Sequence, residues 1–594
     1  MAIKSQVISA DFETTTDRND VRVWAVCAVD IPTSKTVYIS NSIDGFFEWL
    51  SNKNTRCYFH NLKFDGEFII SWLLNNGYKF SRIPQDKTFS TLITDDGLFY
   101  SITVIFEKAN KKYKKVIFYD SLKKLPFKVA DISRDFNLAD EKLSIDYTAY
   151  REPGHELTEE EKQYIVNDCR IVAQALHIQF QQGLHKMTIG SDALNGYKDI
   201  ISKKRFEQWF PVLPVELDAD IRRAYKGGFV YLNPKYKNKR GLKGITLDVN
   251  SLYPSRMRYC LLPFGYPMYY EGEYVPDKNY PLYIARIQCE FELKKNHIPT
   301  VQLKNNRAFV ETEYLTSSNG EIVQMTLTNV DLALLLEHYD VYNLEYICGY
   351  KFRGTTGMFD EYIDYWMHIK ETTKGALRQL AKLMLNNLYG KYAVNPKTRQ
   401  KIPYLDDKGV VRYELDDPET RDPVYTAMGA FITAYARDLT IRSAQKNYKR
   451  FIYADTDSLH LVGYDIPADI EVHPSKLGAW KHEGNFTDSK YLRAKTYMET
   501  MYTIYKKDAK KEEERDTLKN YCILMQSPAT AWIHREPDGI HAGITHVTCA
   551  GMPDNIKEFV TYDNFKSGST FEGKLMPRRY KGGIVLEPTT FTIK

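Results

Sequence analysis

A short acidic hairpin is the feature that most restricts how this chain can fold. Residues 453–458 read Tyr-Ala-Asp-Thr-Asp-Ser and lie between two apolar runs, 451–453 and 459–462. Apolar runs on both sides of a turn-forming segment are typical of two paired β-strands. Asp455 and Asp457 are therefore predicted at the tip of a hairpin. Because Asp and Ser are also common in solvated turns, the segment alone does not establish a function.

Two other segments carry groups that complement this hairpin. Asp248 directly follows an apolar, strand-like run and opens the sequence Asp-Val-Asn-Ser-Leu-Tyr-Pro. Lys382, Asn386 and Tyr389 fall at i, i+4 and i+7, so they share one face of a predicted helix. Hard divalent cations bind carboxylate oxygens, and a triphosphate needs a nearby positive charge. Asp248, Asp457 and Lys382 are thus the minimum set for nucleotidyl transfer.

In this order, the three segments resemble the three polymerase motifs of family B DNA polymerases, D-x-x-S-L-Y-P, K-x-x-x-N-x-x-Y-G and Y-x-D-T-D-S. The resemblance implies that Asp248, the Val249 carbonyl and Asp457 bind two Mg²⁺ ions, with Mn²⁺ able to replace them. It also implies that Tyr253 lies under the sugar of an incoming deoxynucleotide. The implied nucleotide-binding residues are Tyr253, Lys370, Lys382, Asn386 and Tyr389. Asn387 stands where the family usually has Ser.

A second set of carboxylates lies near the start of the chain. Asp11 and Glu13 are two residues apart on a predicted strand, so they share one face. Asp65 follows the segment Phe-His-Asn-Leu-Lys-Phe, and Asp168 comes one helical turn after Tyr164 on a helix that opens with a Thr-x-x-Glu capping box. Four carboxylates and a tyrosine suit two divalent ions that activate water against a phosphodiester. For Asp11 and Glu13 considered without the other residues, a solvent-exposed strand face remains the alternative.

These residues resemble the three Exo motifs of the DnaQ-like 3′–5′ exonucleases, D-F-E, N-x-x-x-D and Y-x-x-x-D. The resemblance implies that Asp11, Glu13, Asp65 and Asp168 bind two metal ions and that Tyr164 orients the attacking water. Lys142 is implied to assist this step, although the sequence alone fits an ordinary surface lysine equally well. The implied contacts to a single-stranded 3′ end are Thr14, His60, Asn61, Phe64, Ser121 and Leu122.

Further DNA contacts are implied by resemblance in the second half of the chain. They belong to a Y-x-G-G motif that contacts the template, a segment that contacts primer and template, and a K-x-Y motif at the primer terminus. The matching residues are Tyr225, Gly227, Gly228, Thr433, Arg437, Lys495 and Tyr497. A hairpin turn is the simpler alternative for the Gly-Gly pair.

The predicted fold is α+β, with an RNase H-like (DnaQ-like) exonuclease domain at 1–189 followed by a right-hand polymerase domain at 190–594. The palm is expected at 190–260 and 427–530, the fingers at 358–394 and the thumb at 531–594. Two insertions, 261–357 and 395–426, match the terminal-protein regions of the protein-primed, phi-twenty-nine-like bacteriophage subgroup of family B. An exposed excursion is expected around 503–545.

Composition restricts the class of protein. A chain of 594 residues exceeds what one hydrophobic core supports, so several domains are expected. The content of 43% hydrophobic and 26% charged residues is typical of a folded, soluble protein, and the net charge of +5 permits a polyanionic partner. The eight cysteines contain no C-x-x-C, which argues against a zinc site or disulfide framework and fits a reducing cytosol. No signal peptide or membrane span is expected.

The sequence therefore predicts a DNA-directed DNA polymerase with a 3′–5′ proofreading exonuclease. By resemblance it replicates a linear phage genome from a terminal-protein primer, with strand displacement, in the cytoplasm of an infected bacterium. The expected partners are primer-template DNA, deoxynucleoside triphosphates and the terminal protein, with the chain a monomer or a heterodimer with that protein. Two other classes stay open: a nuclease whose second half only binds nucleic acid, and a reverse transcriptase, whose hairpin usually ends in two adjacent aspartates.

Overall fold

The structure is a computed structural model that describes residues 5–109, 112–302, 312–506 and 524–594. The helices in these ranges are, in chain order, α1 (Ile43–Ser51), α2 (Leu62–Asn75), α3 (Val129–Phe136), α4 (Glu159–Gln181), α5 (Ile189–Ile201), α6 (Lys203–Trp209), α7 (Val215–Arg222), α8 (Leu252–Tyr259), α9 (Asn329–His338), α10 (Asp360–Thr372), α11 (Gly375–Tyr392), α12 (Thr426–Lys446) and α13 (Asp554–Lys557). Short 3₁₀ turns occupy Ser121–Lys123 and Pro234–Tyr236.

The strands of the first half are β1 (Gln6–Thr14), β2 (Val23–Asp30), β3 (Thr36–Ser40), β4 (Thr55–Phe59), β5 (Lys79–Phe80), β6 (Thr88–Ile93), β7 (Phe99–Ala109), β8 (Lys112–Asp120), β9 (Val230–Leu232), β10 (Gly244–Val249), β11 (Leu262–Glu271), β12 (Leu282–Leu293) and β13 (Val301–Gln302). Those of the second half are β14 (Tyr314–Leu315), β15 (Val323–Thr328), β16 (Tyr339–Thr355), β17 (Lys397–Thr398), β18 (Lys401–Leu405), β19 (Val411–Leu415), β20 (Glu419–Thr420), β21 (Phe451–Asp455), β22 (Ser458–Val462), β23 (Trp480–Arg493), β24 (Thr496–Lys506), β25 (Thr530–Glu536), β26 (Gly539–Cys549), β27 (Thr570–Tyr580) and β28 (Gly583–Thr592).

The first sheet has eight strands in the order β3-β2-β1-β4-β8-β7-β6-β5. Near its middle, β1 runs antiparallel to β2 and parallel to β4. Strand β2, which is apolar up to Asp30, is covered on both faces: Ala25 and Cys27 pack in the cluster that contains α4, whereas Val26 and Ala28 pack in the cluster that contains α1 and α2. Helix α4 begins with the predicted capping box, since Thr158 accepts from the Glu161 N–H and Glu161 accepts in return.

The second sheet has eight strands in the order β25-β26-β24-β23-β10-β22-β21-β9. The predicted hairpin is confirmed: β21 and β22 pair antiparallel, and Asp455 lies opposite Ser458. Strand β10 lies between β22 and β23, and α12 packs against this layer through Trp480, whose indole N–H donates to Ser443 at 3.1 Å. The neighbouring strands of this layer therefore support the hairpin.

The predicted boundary at 531 does not coincide with a break in this sheet. Strand β26 pairs with β24, and β25 pairs with β26, so both continue the same layer. Residues 530–545 are therefore an edge hairpin of this sheet, and residues 534–538 within it are exposed, as expected of an exposed excursion. The remainder of the expected excursion includes residues 507–523, which lie outside the described residues.

Smaller units surround the two large sheets. The first predicted insertion holds a four-stranded sheet in the order β11-β16-β12-β15, which has its own apolar core against α9. The second holds the pairs β17–β20 and β18–β19, and the chain ends in the hairpin β27–β28. In α11, Leu380, Met384 and Leu388 are buried, as the helical period predicts. All seven cysteines of the described ranges are free thiols, and none of the helices there is long and apolar enough to span a membrane.

Candidate active sites

Strand pairing brings the two aspartates of the first motif set to one end of the second sheet. Asp248 on β10 lies opposite Ser458 on β22, and the Val249 N–H donates to the Asp457 carbonyl at 2.8 Å. Thr456 at the turn has a φ of 58°, which is rare for a β-branched residue. Its N–H donates to the Phe229 carbonyl at 2.6 Å, so a backbone hydrogen bond attaches the turn to the segment before β9.

A cavity of about 350 Å³ opens beside this hairpin. All eight residues predicted to bind metal or nucleotide on this side of the molecule line it, together with Ser251 and Leu252. The eight are Asp248, Val249, Tyr253, Lys370, Lys382, Asn386, Tyr389 and Asp457. The cavity therefore combines carboxylates from the second sheet with cations from α10 and α11.

Two aromatic rings form a flat surface in this cavity. Tyr253 of α8 and Tyr389 of α11 stack with centroids 3.8 Å apart and an interplanar angle of 20°. Beside them, the Lys370 ammonium donates to the Ser251 hydroxyl at 2.8 Å. Burial lowers the pKa of Lys370, and the nearby charges of Arg378 and Lys382 lower it further. Cations crowded in this way favour binding of a polyanion.

The carboxylates of the cavity are crowded as well. Burial and then the charge of Asp457 raise the pKa of Asp248 to about 7, and burial raises the pKa of Asp457. Buried like charges are unfavourable unless a cation neutralises them, so the donor set fits divalent metal ions. Among the described residues no three His, Cys, Asp or Glu side chains converge on one metal position. Mg²⁺ commonly takes only one or two carboxylates and completes its shell with substrate oxygens and water.

Asp455 has a supporting position outside the cavity. The Lys495 ammonium donates to both of its carboxylate oxygens, at 2.9 and 3.0 Å. The Tyr453 hydroxyl donates to Asp455 at 3.1 Å and accepts from the Lys495 backbone N–H at 2.9 Å. Tyr497 packs its ring 5.1 Å from that of Tyr453. The K-x-Y segment is thus attached to the hairpin, while its contact with DNA stays a prediction.

The Tyr225 segment packs against the same turn. Gly227 and Gly228 lie in the loop between α7 and β9, so the hairpin-turn alternative is excluded. A Cβ atom on Gly228 would lie 2.5 Å from the Thr456 hydroxyl oxygen, which explains the need for glycine there.

Thr433 and Arg437 are buried, with relative exposures of 1% and 2%. The Thr433 hydroxyl donates to the Gly429 carbonyl of its own helix at 3.0 Å. Arg437 pairs with Asp331 of α9 at 2.8 Å and donates to the Lys226 and Gly227 carbonyls at 2.8 Å each. The prediction of direct DNA contact is therefore wrong for both residues, because they face the protein interior. Arg437 instead holds the loop that carries Gly228.

The second cavity, of about 750 Å³, lies on the α4 side of the first sheet. Its walls include ten of the predicted residues, namely Asp11, Glu13, Thr14, His60, Asn61, Phe64, Asp65, Lys142, Tyr164 and Asp168. Alternation along β1 directs Asp11 and Glu13 toward α4, where Tyr164 and Asp168 lie. Asp65 comes from the first turn of α2, which begins at the left-handed Asn61 (φ 72°).

The four carboxylates of this cavity also fit divalent cations. Burial and then the charge of Asp168 raise the pKa of Asp11 to about 7, and burial followed by the charge of Asp11 raises the pKa of Glu13 and of Asp65. One oxygen each of Asp65 and Asp168 is buried without a hydrogen-bond partner. Buried carboxylates with unpaired oxygens are the ligands that hard cations require.

Lys142 is part of this cavity. Its ammonium forms an ion pair with Asp168 and donates to the Tyr164 hydroxyl at 3.3 Å. The surface-lysine alternative is therefore excluded. Tyr147, which the sequence did not single out, hydrogen-bonds to the Tyr164 hydroxyl.

Ser121 and Leu122 do not line the cavity. Ser121 is fully buried, and its hydroxyl donates to the Phe59 carbonyl at 3.0 Å and lies 3.0 Å from His60 Nδ1. His60 Nε2 in turn donates to the Phe127 carbonyl at 2.8 Å. The prediction that Ser121 touches DNA is therefore wrong, because burial leaves it able only to orient His60.

Several lining residues had no local signal in the sequence. Leu575, Ile584, Val585 and Leu586 of the last hairpin contribute an apolar wall to the carboxylate cavity of the first sheet. Lys481 and Glu483 of β23 lie beside Asp248, and Lys481 is its register partner. Strand register would have identified that pair, but only once the neighbour of β10 was known.

The chain is similar in sequence and structure to known DNA polymerases. Residues 48–153 and 141–474 match the model of a family described as DNA polymerase type B, organellar and viral. The DNA polymerase of Bacillus phage phi29 is 48% identical over 591 residues, which cover 99% of both chains. The DNA polymerase of Streptococcus phage Cp-1 is 34% identical over 610 residues, covering 99% of this chain and 98% of its own. A solved structure of phi29 DNA polymerase with primer-template DNA and incoming nucleotides matches with a TM-score of 0.90 and 47% identity, covering 99% of this chain and 100% of that one.

Proposed function

The chain belongs to the organellar and viral type B DNA polymerases, in their phi29-like group, and from that premise we propose that the cavity at Asp248 and Asp457 is its nucleotidyl-transfer site. Membership makes the protein a DNA polymerase. The two alternative classes are therefore rejected: a nuclease whose second half only binds nucleic acid, and a reverse transcriptase.

One observation carries this proposal. Residues from β10, α8, α10, α11 and the β21–β22 turn, up to about two hundred positions apart in sequence, line a single cavity that holds both acids and cations. Neither a solvated turn nor a solvated helix face accounts for this convergence. Metal-assisted transfer from a triphosphate requires both kinds of group at one place.

In this proposal each residue has a defined task. Asp248, Asp457 and the Val249 carbonyl hold two Mg²⁺ ions, with Mn²⁺ able to replace them. When bound, the ions lower the barrier by stabilising the charge on the attacking 3′-hydroxyl and on the departing pyrophosphate. Lys370 and Lys382 neutralise the triphosphate.

The base-pair side of the same cavity has its own tasks. Asn386 and Tyr389 contact the nascent base pair. Tyr253, fixed by its stack on Tyr389, lies under the deoxyribose.

The carboxylate cavity of the first sheet is proposed as a 3′–5′ exonuclease site. Asp11, Glu13, Asp65 and Asp168 hold two metal ions, and Tyr164 orients the water. Lys142 holds Asp168 in place through their ion pair. Thr14, His60, Asn61 and Phe64 line the cavity where a single strand would enter.

The arrangement of the two large sheets and the two insertions supports the same proposal. The first sheet with its helices corresponds to the exonuclease domain at 1–189, and the second sheet with α10 and α11 corresponds to palm and fingers. The insertions at 261–357 and 395–426 form small units of their own, as expected of regions that receive a terminal protein. We propose priming from that protein's hydroxyl, strand displacement, and action in the cytoplasm of an infected bacterium as a monomer or as a heterodimer with it.

Two assays test these proposals. The first offers a labelled primer-template, deoxynucleoside triphosphates and Mg²⁺, and extension is expected; failure to extend would refute the transfer site. The second offers labelled dATP and the terminal protein from the same source without an oligonucleotide. Covalent label on that protein is expected, and its absence while oligonucleotide primers are extended would refute protein priming alone.

A further inference from the structure

A buried acid on α2 joins three segments that are remote in sequence. Glu67 is 1% exposed and lies two residues after Asp65. Arg579 of β27 donates to Glu67 Oε1 from Nη2 at 2.8 Å and from Nε at 2.9 Å. The Tyr413 hydroxyl of β19 donates to Glu67 Oε2 at 3.1 Å. Both carboxylate oxygens are thus engaged, across sequence separations of 512 and 346 residues.

The two partners of Glu67 also contact each other. The Arg579 guanidinium lies over the Tyr413 ring, 4.8 Å from its centroid. Burial and then the Glu67 charge raise the pKa of Tyr413, so its hydroxyl keeps the proton that it donates. These three residues are named the clasp. Because each member touches the other two, loss of one weakens the hold on both remaining segments.

Close packing surrounds the clasp. A Cβ atom on Gly583, at the start of β28, would lie 2.4 Å from the Phe68 ring. Ile584 of β28 and Val411 of β19 belong to the same apolar cluster as Phe68 of α2. Val410 pairs with Lys581 at the tip of the last hairpin. The β27–β28 hairpin is therefore seated on α2 and β19.

The packing of the β27–β28 hairpin on α2 and β19 determines one wall of the carboxylate cavity of the first sheet. Leu575, Ile584, Val585 and Leu586 of the hairpin line the same cavity as the acids. Leu575 and Leu586 are 52% and 40% exposed, so their side chains are open to a ligand. Apolar side chains next to a phosphodiester-cleaving site suit the bases of a single strand, which are held by stacking and apolar contact.

We propose that Glu67, Arg579 and Tyr413 are positioning residues that hold the β27–β28 hairpin as the base-binding wall of the exonuclease cavity. The inference rests on the proposed exonuclease function. None of the three side chains lines the cavity, so they act through the hairpin and not on the reacting phosphodiester. Their loss should weaken binding of the single strand and leave the chemical step unchanged.

The test measures degradation of a 3′-labelled single-stranded oligonucleotide over a range of concentrations. Arg579→Gln is expected to raise KM about fivefold, which corresponds to about 1 kcal/mol of lost binding, with kcat within about twofold. Glu67→Gln should act in the same direction, and the double variant should be no worse than the more affected single one, because both changes remove one interaction. Tyr413→Phe, which deletes a single hydroxyl and keeps the fold, should raise KM about twofold.

Arg578→Gln is the matched control. Arg578 is exposed, and strand alternation directs it away from Glu67. An unchanged KM in Arg579→Gln, a loss confined to kcat, or an equal rise in Arg578→Gln would each overturn the clasp. If the unmodified chain degrades nothing, the proposed exonuclease and the clasp both fail. Degradation that Asp11→Ala abolishes and clasp variants leave untouched overturns the clasp alone.

Discussion

Replacing Arg437 should make the protein easier to unfold without changing the number of DNA phosphates that the protein neutralises. In the structure its guanidinium satisfies Asp331 and two backbone carbonyls of the loop before β9. Arg437→Met removes all of these donors and leaves a carboxylate that is 9% exposed without its cation. The perturbation therefore tests whether this arginine supports the fold or contacts DNA.

The expected loss of stability follows from these contacts. Removing one partner of a buried ion pair costs about 3–5 kcal/mol. Asp331 keeps a hydrogen bond from the Thr328 hydroxyl at 2.8 Å, so the lower end, about 3 kcal/mol, is expected. Arg437→Lys should lose most of the same stability, because an ammonium cannot reproduce the planar fork that reaches Asp331 and both carbonyls.

Two measurements on the same variants distinguish a residue that supports the fold from one that contacts DNA. Denaturant unfolding followed by tryptophan fluorescence gives the stability change. Binding of a primer-template, measured below the unfolding temperature, gives the slope of log K against log salt. That slope should equal the wild-type value, whereas an arginine that neutralises one duplex phosphate would lower it by about 0.9. A reduced slope with unchanged stability would refute the buried role of Arg437.

Three further predictions concern the two cavities. Asp11 and Asp248 have pKa values of about 7 in the fold against 3.8 ordinarily, so the folded state retains protons that the unfolded chain has released. The contribution of these two groups to the stability of the metal-free protein should therefore fall as pH rises from about 4 through 7, and Mg²⁺ should raise the melting temperature more at pH 8 than at pH 6; equal shifts would contradict this. Gly228→Ala brings a methyl group 2.5 Å from the Thr456 hydroxyl oxygen and should slow single-nucleotide extension about tenfold, with partial recovery when Thr456→Ala is added; a wild-type rate would argue against the contact. Lys142→Met should slow single-strand degradation by about 10–100-fold and leave extension intact, and a parallel loss of extension would point to misfolding instead.

Local rules were sufficient to predict many of the residues that line the two cavities. Strand alternation placed Asp11 and Glu13 on one face, and the helical period placed Lys382, Asn386 and Tyr389 in one cavity. The hairpin that carries Asp457 followed from a turn segment between two apolar runs. In each case the geometry depends on neighbours within a few residues in the chain.

Burial by remote segments could not be read from those rules. Arg437 and Ser121 carry polar side chains typical of nucleic-acid contacts, and only their contacts with α9 and with the end of β4 show that they are enclosed. Gly227 and Gly228 fit a hairpin turn until the Thr456 contact is known. The clasp joins positions 67, 413 and 579, and no local pattern relates them.

The central claim is that two separate carboxylate sets serve two reactions, and one paired measurement tests it most directly. A 5′-labelled primer-template is incubated with Mg²⁺, with and without deoxynucleoside triphosphates, and extended and shortened products are counted for each variant. Asp457→Asn should abolish extension and shorten primers at the wild-type rate, while Asp11→Ala with Glu13→Ala should do the reverse. Extension by Asp457→Asn, or loss of both reactions in either folded variant, would contradict the account.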